Sequence, residues 1–122
     1  MEWVATGRVF SAQEALEAGL VRSLHPKYEL LGAARELARE IADNAAPVSV
    51  ALARQMMWRM LGAEHPMVAH RADSRGMVSR GQSADAVEGI TAFLEKRDAH
   101  FPDRVSDGLP DVMPGWSAPA FE

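Results

Sequence analysis

Apolar residues recur along most of this chain at helical spacing. Leu30, Leu31, Ala34, Leu37, Ala38 and Ile41 follow one another at intervals of three and four, which paints one continuous stripe and predicts a helix over residues 28–42. Asp43-Asn44-Ala45-Ala46-Pro47 interrupts it, because proline cannot continue a helical ladder but suits the first turn of the next helix. A further helix is predicted from about Val48 to Leu61. Its Val48, Leu52 and Met56 row, with Ala53, Met57, Met60 and Leu61 beside it, suggests an element covered on more than one side. Gly62 ends that helix, and Pro66 opens another from about Met67 to Arg80 that contains the helix-weakening Gly76. After Gly81-Gln82-Ser83, the residues Val87, Ile90, Phe93 and Leu94 predict a last amphipathic helix reaching about Ala99.

The two ends of the chain read differently. Thr6 to Phe10, with β-branched and aromatic character and a turn at Gly7, predicts a brief strand or extended entry, and residues 20–24 look extended up to His25-Pro26. Between them Ser11 and Glu14 have the spacing of a capping box for a short helix that Gly19 can end in the left-handed conformation. Asp85 and Glu88 repeat that spacing. Past Phe101, Pro102, Pro110, Pro114 and Pro119 interrupt regular structure, while Val105, Leu109, Val112, Met113, Trp116 and Phe121 are apolar anchors that predict a tail wrapped over a surface. Met1-Glu2-Trp3-Val4-Ala5 runs into patterned sequence without a polar lead-in, which suggests a boundary inside a longer protein.

Composition narrows the classes of function. The 122 residues suit one domain, and 48% hydrophobic against 25% charged residues excludes the signature of disorder. Seventeen acids against 13 bases give a net charge of −4, which gives no reason to expect nucleic-acid binding through a broad basic surface. The absence of cysteine excludes disulfides and thiolate chemistry and is compatible with a cytoplasmic location. No apolar run is long enough to span a membrane.

Candidate chemistry is sparse. His70 and Asp73 share a helical face near His65, but a closed metal site needs more ligands, and solvated polar residues are the better account. Asp85 and Glu88 could be offered as a catalytic pair, yet capping explains their spacing. No serine lies in a nucleophile elbow and no glycine cluster matches a phosphate loop. Met56, Met57 and Met60 with Trp58 suit a core or subunit interface better than a soft ligand surface. Lys96 and Arg97 complement the negative end of a helix dipole; the functional alternative for Lys96 is contact with a phosphate.

The ordered segments resemble one family. Thr6-Gly7-Arg8, then Ser11-Ala12-Gln13-Glu14-Ala15-Leu16 and Ala18-Gly19-Leu20-Val21, resemble the T-G-x-x-x-x-A-x-E-A-x-x-x-G-L-V stretch of crotonases, the enoyl-CoA hydratase/isomerase superfamily. Ala46-Pro47, Ser83-Ala84-Asp85 and the string Glu88-Gly89-Ile90-Thr91-Ala92-Phe93-Leu94-Glu95-Lys96-Arg97 continue the likeness as far as Pro102. The resemblance implies a mainly α fold: the C-terminal helical (trimerisation) domain of the crotonase fold, with a remnant of the spiral ββα core at the N-terminus. Residues 1–25 would end the spiral core, 26–101 form the helical domain and 102–122 a proline-rich extended tail.

On the same resemblance the chain holds no catalytic residue and no metal, since the oxyanion-hole amides and the acidic residues of crotonases lie in the N-terminal spiral. Coenzyme A enters only as part of the acyl-CoA substrate, with no tightly bound cofactor, and the partners are further protomers in a trimer or hexamer. Lys96 matches a lysine that approaches the CoA phosphate or adenine in some members, and Met77 a position often aromatic beside the same ligand. Arg54 stands where many members have lysine. The expected function is the C-terminal part of an enoyl-CoA hydratase or crotonase-type isomerase, inactive alone. The alternative is a stand-alone, non-catalytic helical interaction module derived from a crotonase.

Overall fold

The computed structural model describes residues 1–118 and Ala120; Pro119 and Phe121 of the expected tail lie outside the described residues. Among the described residues there are seven helices and no strand: α1 (Glu2–Thr6), α2 (Ala12–Glu17), α3 (Leu30–Asn44), α4 (Pro47–Met60), α5 (Pro66–Gly81), α6 (Ala84–Glu95) and α7 (Val105–Gly108). The chain divides into two compact units, Met1–Glu40 and Ile41–Glu122.

In the first unit the strand alternative for residues 6–10 is absent, and residues 7–11 carry no regular structure. Residues 2–6 are helical, and Gly7 ends that helix at φ 62, donating its N–H to the Trp3 carbonyl. A strand segment needs a neighbour for its backbone groups, and residues 8–10 have none; Phe10 instead stacks on Trp3 at 3.9 Å between ring centroids. Only half of the first capping box forms. Ser11 accepts from the Glu14 N–H at 3.1 Å, but the Glu14 carboxylate turns away to the Trp3 indole N–H and to Arg8, which also binds Glu2. That guanidinium and indole hold the Glu14 carboxyl below the usual range. Gly19, at φ 74, closes α2 as expected. The Leu20 N–H reaches the Ala15 carbonyl and the Gly19 N–H that of Leu16, which is the paired bonding of a Schellman motif. Residues 20–26 then run irregularly without forming a strand.

The stripe that predicts α3 produces a helix, yet no residue of α3 is buried; Leu30, Leu31, Leu37 and Ile41 all face solvent.

In the second unit α4 and α5 pack against each other around Leu52, Ala72, Val112 and Met113, with Met56, Met60 and Leu109 against them. Pro47 and Pro66 each sit in the first turn of their helix, where no amide partner is lost. Contrary to expectation α4 is covered on one side only: Val48 and Leu52 are buried, while Val50, Met57, Trp58 and Leu61 remain exposed. Gly76 explains its own presence in a helix. A Cβ there would lie 3.2 Å from Leu52 Cδ2, so glycine is what allows α5 to approach α4 closely.

The start of α6 also differs from the capping-box reading. Ser83 is the cap, accepting from the Ala86 N–H at 3.2 Å and donating to the Arg80 carbonyl at 2.6 Å. Asp85, 3% exposed, is thereby free for other work. It accepts from Arg80 Nη2 at 3.0 Å and from the Asp103 N–H at 2.9 Å, while the same Arg80 nitrogen reaches Asp103 Oδ2 at 2.7 Å. This knot joins the end of α5, the start of α6 and the returning chain. Removing one member of such a half-buried set strands the others' charge, which is costlier than the set is stabilising.

The tail follows its expectation only in part: residues 105–108 form the helix α7 where regular structure was not expected, and Val105 and Trp116 stay exposed while Val112 and Met113 are buried. Val112 is 2% and Met113 8% exposed, and the short α7 brings Gly108 against Val48, where an added Cβ would lie 3.4 Å from Val48 Cγ2.

Gly76→Val will lower the stability of the chain by about 1–3 kcal/mol, because the new branches overfill the α4–α5 contact. A urea midpoint unchanged from the parent protein would refute this reading of Gly76.

Candidate functional site

Two features of the second unit could meet a ligand or partner: the outer face of α6 with the residues that follow it, and the groove between α4 and α5.

The apolar stripe of α6 points away from the chain's own core. Val87, Ile90, Phe93 and Leu94 are 66%, 64%, 81% and 72% exposed, whereas the inward face carries the small Ala92 and the charged Asp85. Single exposed apolar residues are ordinary, but four on one helical face form a contiguous patch of the kind that marks an interaction surface.

The end of α6 is built as a second Schellman turn: the Arg97 N–H reaches the Ala92 carbonyl at 3.1 Å and the Lys96 N–H that of Phe93 at 3.3 Å. Lys96 occupies the left-handed seat, at φ 55 and ψ 44. Among the described residues it is the one non-glycine with positive φ. A side chain there costs of order 1 kcal/mol, and backbone strain of this kind clusters at functional positions.

Its neighbour Arg97 is fully engaged within the chain. Its guanidinium grips Glu88 through two bonds of 2.6 and 3.0 Å and reaches Glu95 at 2.7 Å. Glu88 also accepts the His100 N–H at 2.7 Å. The Arg97 guanidinium first, and the His100 amide second, lower the Glu88 carboxyl from an ordinary 4.5 to about 2. The Arg97 guanidinium is correspondingly held charged by Glu88 and then Glu95. Among the described residues the Lys96 ammonium takes part in no ion pair and lies exposed beside the apolar stripe.

Met77, the other expected ligand neighbour, is 70% exposed on α5. It lines an open cavity of about 540 Å³ with Leu52, Ala53, Met56, Met57 and Arg80. The structure does not set Met77 beside Lys96: the groove touches α6 at Ala86, and ten residues of helix separate Ala86 from Lys96, roughly 15 Å of rise. Met56 and Met57 line this groove, Met60 belongs to the core edge, and Trp58 is exposed.

The remaining candidates are occupied or apart. His65 caps α5, its Nδ1 accepting from the Met67 N–H at 3.1 Å, and among the described residues no group of three or more His, Cys, Asp or Glu side chains could hold a metal ion. Asp85 and Glu88 engage different arginines, Arg80 and Arg97, so they form no carboxylate pair. The Arg80–Asp85–Asp103 knot was not legible from spacing, because Asp103 reaches it across 18 residues of chain from Asp85. No helix among the described residues is long and apolar enough to cross a membrane.

Fold and site together define a helical polypeptide with its own small core and unpartnered apolar faces. Comparison with known proteins gives the family. The enoyl-CoA hydratase/isomerase profile matches residues 1–104, and the chain belongs to that family. It is 38% identical over 103 residues to the enoyl-CoA hydratase ACTT3 of Alternaria alternata, covering 84% of this chain and 34% of that protein. It is 37% identical over 101 residues to the carnitinyl-CoA dehydratase of Salmonella paratyphi A, covering 80% of this chain and 38% of that protein. The crystal structure of a probable enoyl-CoA hydratase/isomerase from Mycobacterium abscessus superimposes with a TM-score of 0.76 at 33% identity, over 82% of this chain and 41% of that one. The chain thus spans about a third of the length of the curated relatives it matches.

The Glu88 contacts predict an acid-side dependence. A carboxyl lowered on folding stabilises the folded state above its unfolded pKa and loses that contribution as pH falls through the folded value. The Glu88 contribution should therefore fade between about pH 4.5 and 2. Glu88→Gln will flatten the stability profile in that window, measured by thermal unfolding at successive pH values; an unaltered slope would remove the assignment.

Proposed function

We propose that this chain is the C-terminal helical part of a crotonase-type enzyme acting on acyl-CoA thioesters, in which it serves subunit assembly and closes the CoA end of the site. Residues 1–25 would end the spiral core, 26–101 form the helical domain and 102–122 the tail. The observation that carries the reading is the outward stripe Val87, Ile90, Phe93 and Leu94, on a helix whose sequence resembles the crotonase string. In this reading the stripe packs on the catalytic body of a trimer or hexamer, as do the bare apolar residues of α3. The family membership and the third of a relative's length that the chain represents support this reading.

The chemistry follows the family. Two backbone N–H groups, outside these residues, would hold the thioester oxygen as negative charge develops on it, and a carboxylate would move the proton for hydration or double-bond migration. Lys96 is the cation this chain offers, a compact point charge suited to the phosphate of CoA, and Met77 an apolar wall beside the ligand. Neither performs catalysis, CoA comes and goes as part of the substrate, and the enzyme works in the cytoplasm.

The isolated chain is expected to self-associate through its helix faces and to leave crotonyl-CoA unchanged. Sedimentation showing a monomer at high concentration, or turnover above background, would overturn the proposal.

Lys96→Gly separates stability from binding. Glycine accepts φ 55 without the Cβ clash, so the isolated chain should gain about 0.5–1 kcal/mol. In the complete enzyme the same change should weaken a CoA ester about tenfold, and a dephospho-CoA ester less. Equal losses for the two esters would exclude the phosphate contact.

A further inference from the structure

The family profile ends at residue 104, yet the segment beyond it supplies Val112 and Met113, two of the four side chains of the buried cluster in the second unit. Three kinds of contact seat it. The side chains of Val112 and Met113 enter the cluster with Leu52 of α4 and Ala72 of α5. On the α5 side, Arg75 Nη1 donates to the Val112 carbonyl at 3.1 Å, satisfying a backbone acceptor on a residue that is itself buried. On the α4 side, the Arg59 guanidinium lies over the Trp116 ring at 4.3 Å. One arginine from each helix therefore clips the same short segment. The segment is also internally braced: the Met113 N–H bonds Asp111 Oδ1 and the Trp116 N–H bonds the Met113 carbonyl, both at 3.1 Å. Pro110 and Pro114 flank the buried pair and reduce the freedom the segment loses on seating.

We propose that residues 105–118, beyond the region the family profile matches, are an intramolecular strap that locks α4 to α5 by filling the cluster the two helices leave open. Released, it would bare Leu52, Met56 and Met60 as a new apolar surface. The strap stands independently of the acyl-CoA reading, since it rests only on contacts within the second unit.

Amide hydrogen exchange on the full chain tests it with two variants. Val112→Asp places a charge in the cluster; it should lower the melting temperature by more than about 10 °C and raise binding of the apolar dye anilinonaphthalene sulfonate severalfold. Trp116→Ala trims a half-exposed ring whose cation–π contact is with Arg59 of α4, a milder change than a charge in the cluster. Because the strap acts on both helices, it should speed exchange about fivefold or more in α5 as well as α4, leaving α2 unaltered. Should Val112→Asp fail to fold, Trp116→Ala decides alone. Faster exchange confined to residues around Arg59, or a Val112→Asp melting temperature within about 1 °C of the parent, overturns the proposal.

Discussion

Leu52 is the residue on which the second unit turns, because it is pressed from two sides at once. Gly76 lets the backbone of α5 come close enough that a single added carbon would stand 3.2 Å from Leu52 Cδ2, and the tail delivers Val112 and Met113 into the same cluster. Burying a leucine of this kind stabilises a fold by about 1.5–3 kcal/mol, and with so few fully buried apolar side chains that contribution is not spread over alternatives. The helix pair, the tail and the groove that Leu52 also lines share one contact. What alters Leu52 alters all three.

Polar contacts secure the turns that this small core cannot. Arg80 joins Asp85 and Asp103, and Arg97 joins Glu88 and Glu95. The first set ties the α5–α6 turn to the chain returning from α6. The second fixes the segment after α6 so that Lys96 is held in a conformation ordinarily left to glycine. With Arg97 engaged by its own chain, the two adjacent cations play different parts: one is structural, and the other projects its charge into solvent beside the apolar stripe.

That stripe reverses the usual orientation of an amphipathic helix. An amphipathic helix ordinarily turns its apolar face inward, because the free energy comes from removing that face from water. In α6 the inward face is the less apolar one, with Asp85 and Ala92 buried while Phe93 and Leu94 face out. In α3 no residue of the most regular stripe of the chain is buried. Both arrangements agree with a chain that covers 34% and 38% of the relatives it matches.

Five of the seven helices among the described residues, α2 to α6, were legible because periodicity, proline and glycine act locally. Pro47 and Pro66 open α4 and α5, Gly19 closes α2, and the stripes of α3 and α6 are helical. The resemblance carried by the string through Lys96 and Arg97 likewise gave the family without any structure. Contacts distant along the chain were not legible. Glu14 and Asp85 have capping-box spacing but bind Trp3, Arg8, Arg80 and Asp103 instead, since a carboxylate takes the strongest donor the fold brings to it. The strand alternative at residues 6–10 lacks a neighbour, since pairing requires a second segment that composition does not reveal. By itself, then, the sequence determined helices α2 to α6 and the family, but not α1 and α7, nor the end of α6, which stops at Glu95 short of the expected Ala99. The tertiary structure decided which face of each helix is covered, because burial depends on what surface the fold places opposite, and a periodic pattern carries no record of that surface.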